Sequence, residues 1–388
     1  MALSRLGTVA PGRLAIFAGS LSLQPAVVQR QVVAEIERLR YGTLWYGEAL
    51  GRETFAQGAV FLAATSRLVV ASGIANIWAR DPMAMAAGGR SLAEAWPGRF
   101  VLGLGVSHAP IVSRRGHLYE RPVTAMRDYL ERMQHATWRG PRAELPPIVL
   151  AALGPRMVAL AGERTAGVYP YFTTVEHIRA IRKQLGPEPF LAADLPVVLA
   201  SHRQRAREIG DRHTSLYLGT ENYRNNLLRL GWRSEDLEPP GSDELFDAVV
   251  AWGDVGELAQ RVRALFDVGA DQVVLNLVTL DPTVPYVEEL QALAPLAAYL
   301  HCDLRVAKKV VVPGGVRGRP ALRAHYHVVV VAPGEGQWVL ARLTGSGPGG
   351  GEDEKLTSLE RTPCRAPSVR AEVSNQPLIE IVEASGIS

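Results

Sequence analysis

From residue 13 to about residue 300, short apolar runs alternate with segments of helical periodicity, and this alternation constrains the fold more than any other feature. Residues 67–110 show it best. They read RLVVASGIANIWARDP, then a helix of small residues, then WPGRFVLGLGVSHAP. Two apolar strands, 68–74 and 99–105, each run into a loop of Gly, Ser, Asn or His. Strand, helix and strand at this spacing form a βαβ crossover with parallel strands. In parallel α/β proteins the chemistry collects at the carboxyl ends of the strands, and the polar residues here sit at those ends.

Eight such runs occur, at residues 14–17, 43–46, 68–74, 100–105, 147–152, 167–172, 190–200 and 272–278. They predict an α/β chain folded as a (β/α)8 TIM barrel, with an open doubly wound sheet as the alternative. Pro25 opens the first helix, and Val28, Val32, Ile36 and Leu39 recur on its core face. Residues 203–264 read as mostly helical, with Asp254 capping a helix that begins near Glu257. The 388 residues suit a barrel over residues 1–301 plus an irregular extension over 302–388. That extension is rich in Gly and Pro, and its 325–331 and 337–343 stretches read as a β-hairpin.

Apolar residues make up 47% of the chain and charged residues 21%, an ordinary globular balance. The net charge of +3 is spread out, with no basic run interleaved with aromatics, so nucleic acid is not an expected partner. No apolar stretch is long enough to cross a membrane, and the first residues lack the apolar core of a signal peptide. A cytoplasmic location is the expectation. Cys302 and Cys364 lie too far apart for a metal pair or a disulfide framework, and His325 and His327 lack a third ligand, so no metal site is expected.

Three strand ends carry candidate chemistry. Gly73, in Ser72-Gly73-Ile74-Ala75-Asn76, either lets a flat ring approach the backbone or simply ends a strand. Ser107 and His108 follow the Gly103-x-Gly105 pair. The G-x-S-x-A spacing imitates a nucleophile elbow, but Pro110 and Gly116 favour a loop over the helix such an elbow needs. His108 is either a cofactor contact and proton donor or an ordinary loop histidine. At Leu153-Gly154-Pro155-Arg156, a glycine and a proline open a helix whose amino end suits a phosphate, and a bound anion would relieve the unfavourable Arg156 charge there. Glu48, Arg52 and Glu53 form either a polar rim or salt-bridged loop residues. Asp81 caps the helix at Pro82.

Together, SGIANIWARDP, PGRFVLGLGVSHAP, LGPRMVALAGERTAGVYPY, NYRNNLLRLG and SDELFDAVVAWGD resemble the luciferase-like monooxygenase superfamily, and within it oxidoreductases that use the deazaflavin coenzyme F420. The resemblance implies a luciferase-like (β/α)8 barrel with a flavin or deazaflavin at its carboxyl end. It implies a bulge after the third strand, often with a non-proline cis bond, for which Gly73–Ile74 is the match. Asn76, Ser107 and His108 would line the ring, while Gly154, Pro155 and Arg156, with Tyr119, would hold the phosphate. His108, and after it Glu48, would be the catalytic side chains. The implied activity is hydride transfer between coenzyme F420 and a small-molecule substrate. The alternatives are an FMN-dependent monooxygenase that incorporates molecular oxygen from paired donors, and a non-catalytic binding homologue. A homodimer is implied by the resemblance alone.

Overall fold

The structure is a computed structural model that describes residues 5–281, 283–284, 286–301, 328–331 and 339–342. The strands are β1 (Leu14–Phe17), β2 (Thr43–Tyr46), β3 (Val69–Ser72), β4 (Ala75–Asn76), β5 (Phe100–Gly105), β6 (Ile148–Leu150), β7 (Gly167–Val168), β8 (Phe190–Leu199), β9 (Ala251–Gly253) and β10 (Gln272–Leu277). All pairings among them are parallel, and β10 closes the ring by pairing with both β1 and β8. With β3 and β4 counted as one interrupted strand, and with β9 set outside the ring on the end of β8, the strands that close are the eight of the barrel that the periodicity predicts. The flanking helices are α1 (Ala26–Arg38), α2 (Thr54–Ala63), α3 (Pro82–Ala95), α4 (Ala109–Arg114), α5 (Pro122–Gln134), α6 (Pro155–Arg164), α7 (Val175–Leu185), α8 (Arg203–Leu218), α9 (Glu221–Arg229), α10 (Asp243–Val249), α11 (Val255–Asp267) and α12 (Val287–His301).

Local signals set the helix ends. Asp81 accepts from the Met83 and Ala84 amides at 2.8 and 3.1 Å. Asp254 and Glu257 form a reciprocal capping box at 2.9 Å each way, so α11 starts at Val255, just ahead of its expected start. In α1 the buried positions are Gln29, Val32, Val33 and Ile36, so Val28 and Leu39 give way to Gln29 and Val33. The apolar stretch that ends α10 at Val249 runs on into β9, which among the described residues pairs with the end of β8 alone.

The barrel interior is a close-packed core, not a pore. Trp45, Ala71, Val101, Val149, Tyr169, Phe190 and Val274 meet there, with Leu6 and Val9 joining from the segment before β1. The floor is polar but satisfied. Gln272 accepts from Trp45 Nε1 at 2.7 Å and donates to the Pro11 and Gly12 carbonyls at 2.9 Å and to Thr43 Oγ1 at 3.0 Å.

Contacts divide the chain into residues 1–297 and 298–388. In the second unit, β11 (Val328–Val331) and β12 (Val339–Arg342) pair antiparallel within the two stretches read as a hairpin. Cys302, Cys364, His325, His327 and the rest of the extension lie outside the described residues.

Candidate active site

The third strand breaks at Gly73–Ile74, whose peptide bond is cis, and resumes as β4. A side chain at Gly73 would meet Tyr169 at 2.9 Å and Trp45 at 3.1 Å. Two glycines of β5 make room for this bulge. A Cβ at Gly103 would overlap the Ser72 carbonyl oxygen, and one at Gly105 would lie 2.6 Å from the Ile74 side chain. Gly103 and Gly105 therefore serve packing: the strand lies flat against the bulge because neither has a side chain.

Behind the bulge sits Glu48. Its carboxylate accepts from the Thr54 amide at 3.2 Å, the Asn76 amide at 2.9 Å and Arg80 Nη1 at 3.0 Å, with Arg80 Nη2 on its other oxygen. Arg80 Nη2 also pairs with Glu53 at 2.9 Å, while Glu53 caps α2 through the Ala56 amide. Arg52 donates to the Gln24 carbonyl at 2.7 Å. These three residues are thus a braced loop. Asn76 is fully buried; its Oδ1 accepts from the Trp78 amide, and its Nδ2 has no partner among the described residues.

Ser107 has a left-handed backbone, with φ of 56°. The expected loop after it is instead the short helix α4, since Pro110 falls where a helix tolerates proline. Elbow chemistry needs a serine–histidine hydrogen bond. Among the described residues Ser107 makes none, and His108 interacts with Asn222. Burial holds the His108 pKa below its usual value, with Asn222 opposing, and its Nδ1 is buried without a partner among the described residues. Its ring lies 5.6 Å from that of Tyr223. Tyr119 is within electrostatic reach of Tyr223, and burial raises its own pKa.

At the end of β6, Gly154 caps α6 without a side-chain bond, and a Cβ there would meet nothing within 4 Å. Pro155 and Arg156 are exposed. The Leu153 carbonyl just before them is pinned by His177 Nε2 at 3.1 Å and Arg229 Nη2 at 3.2 Å. Asn226 Nδ2 lies 3.3 Å from His177 Nδ1, which assigns the ring hydrogen to Nε2. Burial lowers the His177 pKa to about 4, so this brace is neutral.

The remaining wall combines residues that no sequence motif marked. Asp194 on β8 is buried and accepts from Tyr169 Oη at 3.2 Å, and burial pushes its pKa up to about 8. Asn276 Nδ2 on β10 donates to Tyr171 Oη at 2.6 Å, which also accepts from Tyr217 Oη at 2.9 Å. A lone carboxylate in the apolar run FLAADLPVVL was the available signal, because such groups are rarely buried without a reason. The structure therefore gathers the bulge, Ser107 and His108 at one mouth, with α6 opening at the next strand end and Glu48 one layer behind.

The model of the luciferase-like monooxygenase family matches residues 5–272. A Mycobacterium tuberculosis protein bearing the name of a coenzyme F420-dependent oxidoreductase is 23% identical over 328 residues, which is 68% of this chain and 94% of that protein. The F420-dependent tetrahydromethanopterin reductase of Methanopyrus kandleri shares the fold with a TM-score of 0.58 at 15% identity, over 74% of this chain and 99% of its own. The oxygenating constituent of 3,6-diketocamphane monooxygenase from Pseudomonas putida, solved with FMN, has a TM-score of 0.57 at 14% identity, over 78% and 100%. With its closed parallel barrel and a family match covering most of its length, the chain belongs to the luciferase-like monooxygenase family, as an enzyme of oxidoreductase type.

Proposed function

We propose that the chain is a deazaflavin-dependent oxidoreductase that moves hydride between coenzyme F420 and a small organic substrate. The observation that carries this reading is the open amino end of α6 after β6, two strands round the barrel from the β3–β4 bulge. Its cap residue is a glycine with free space around it, and Arg156 stands in the first turn. Free amide N–H groups and the helix dipole favour an anion there, and Arg156 adds a positive charge to the same turn, which suits a phosphate. The relative bearing the name of an F420-dependent oxidoreductase supports the deazaflavin over other phosphate-bearing groups.

A bound deazaflavin supplies hydride at its central ring carbon, whereas reduced FMN activates oxygen. The chain's own residues then have separable parts. Gly154 and Arg156 hold the phosphate. The backbone at Gly73 and Ile74 supports a flat ring where a side chain at Gly73 would already collide with Tyr169 and Trp45. Neutral His108, with its unpartnered Nδ1, accepts or returns a proton at the mouth. Glu48 keeps the Asn76 turn in place and is a positioning residue. Similarity to a monooxygenase solved with FMN favours a second reading, an FMN-dependent monooxygenase.

Fluorescence-quenching titration of the full-length protein with coenzyme F420 and with FMN separates the two. Tighter binding of F420 is expected. Tighter FMN binding would replace the deazaflavin reading with the monooxygenase one, and binding of neither would remove both.

A further inference from the structure

The turn that opens α6 has few amides to offer. Pro155, at its first position, has no N–H. That leaves the Gly154 and Arg156 amides, and neither has a partner among the described residues. The Arg156 amide takes its direction from α6 itself. Gly154 lies ahead of the helix, with an extended backbone at φ of −82° and ψ of 153°, so α6 does not orient its amide.

That amide is oriented from the other side of its own peptide. The Leu153–Gly154 bond is trans, and a trans peptide is planar, so the Gly154 N–H points opposite to the Leu153 carbonyl. The carbonyl receives two donors, His177 Nε2 at 3.1 Å and Arg229 Nη2 at 3.2 Å, which fill its two lone pairs. The donors and acceptors have no freedom to exchange. A carbonyl only accepts, so His177 Nε2 carries the ring hydrogen. A guanidinium only donates, so Asn226 turns Oδ1 to Arg229 Nη2 and Nδ2 to His177 Nδ1, at 3.3 Å.

This clamp is stiff. His177 and Asn226 are buried, and α9 is anchored in an apolar cluster through Tyr223 and Leu227, beside Asn226. Leu153 is partly exposed, so water could satisfy its carbonyl, yet two side chains from two helices hold it instead. Bonds to the carbonyl also polarise the peptide and strengthen its N–H as a donor.

We propose that His177, with Asn226 and Arg229, is a positioning residue that fixes the Gly154 N–H toward the cofactor phosphate, and so sets a preference for phosphate-bearing over phosphate-free rings. This rests on the functional reading above, in which the α6 opening holds that phosphate.

The test titrates two probe pairs by fluorescence on the full-length protein: coenzyme F420 against its phosphate-free ribityl chromophore, and FMN against riboflavin. Wild type, His177→Leu and His177→Gln are compared. His177→Leu is expected to bind the phosphate-bearing probe about threefold to tenfold more weakly, the effect of one neutral hydrogen bond, and the phosphate-free probe as wild type does. Unchanged binding of the phosphate-free probe also reports an intact site. His177→Gln keeps an amide that can donate to the Leu153 carbonyl, and is expected to recover most of the loss. Asn226→Ala, a smaller truncation in the same clamp, gives the same readout if His177→Leu is not recovered folded. Equal weakening of both members of a pair, a wild-type preference in His177→Leu, or no recovery in His177→Gln would overturn the proposal, as would a wild type with no preference in either pair. A preference shown by the FMN pair alone, and lost in His177→Leu, would remove the deazaflavin reading while supporting the clamp.

Discussion

The floor and the mouth of this barrel treat buried polar groups in opposite ways. At the floor, Gln272, Trp45 and Thr43 satisfy one another and the carbonyls of the segment before β1. Toward the mouth, Asn76 Nδ2 and His108 Nδ1 are buried without partners among the described residues. A buried polar atom left unpaired costs about 1–3 kcal/mol. A satisfied network holds one structure in place, whereas unpaired groups at a strand end are what a bound molecule can complete. The same eight strands thus separate stability from recognition along the barrel axis.

The largest effect expected is on the brace behind the bulge. Arg80→Ala leaves the Glu48 carboxylate buried without its counter-charge, on the Thr54 and Asn76 amides alone, and should destabilise the protein by about 3 kcal/mol. Denaturant unfolding measures it. A loss below about 1 kcal/mol would mean that the brace belongs with the ordinary surface ion pairs.

Asp194 gives a pH-dependent contrast. Burial raises its folded-state pKa from 3.8 to about 8. A raised carboxyl favours folding while it is protonated. Its contribution is complete below about pH 4 and is lost as pH climbs toward 8, at up to about 1.4 kcal/mol per unit. Asp194→Asn removes the titrating group. Wild type should therefore lose stability relative to the variant between pH 4 and 8, with no further change above that. Parallel pH profiles of the two proteins would place the ionised carboxylate comfortably in the fold.

How much of this was legible in the sequence differs between the two ends as well. The barrel strands announced themselves as apolar runs, because each is long enough or bounded by turn residues. β9 did not. Its three residues continue the apolar stretch of α10, and a run that short reads equally as helix or strand. α4 was obscured by Pro110, which breaks a helix interior but is tolerated in a first turn. At the site, Gly73, Gly154 and His108 could be singled out because they sit at strand ends within distinctive local sequence. Tyr171, Asp194 and Asn276 are far apart along the chain and meet only when β10 closes the ring between β8 and β1. The reading of Glu48 and Glu53 as salt-bridged loop residues was open to the sequence, but their partner Arg80 was not, because it lies one βα unit further on.

The division between the two ends is tested by Arg156→Ala, followed by coenzyme F420 affinity and thermal unfolding together. If the α6 opening exists to hold a phosphate, affinity should fall about tenfold to a hundredfold, the loss of one charge-assisted contact, while the melting temperature stays unchanged because Arg156 is exposed. Unchanged affinity, or a fall in stability matching the fall in affinity, would contradict it.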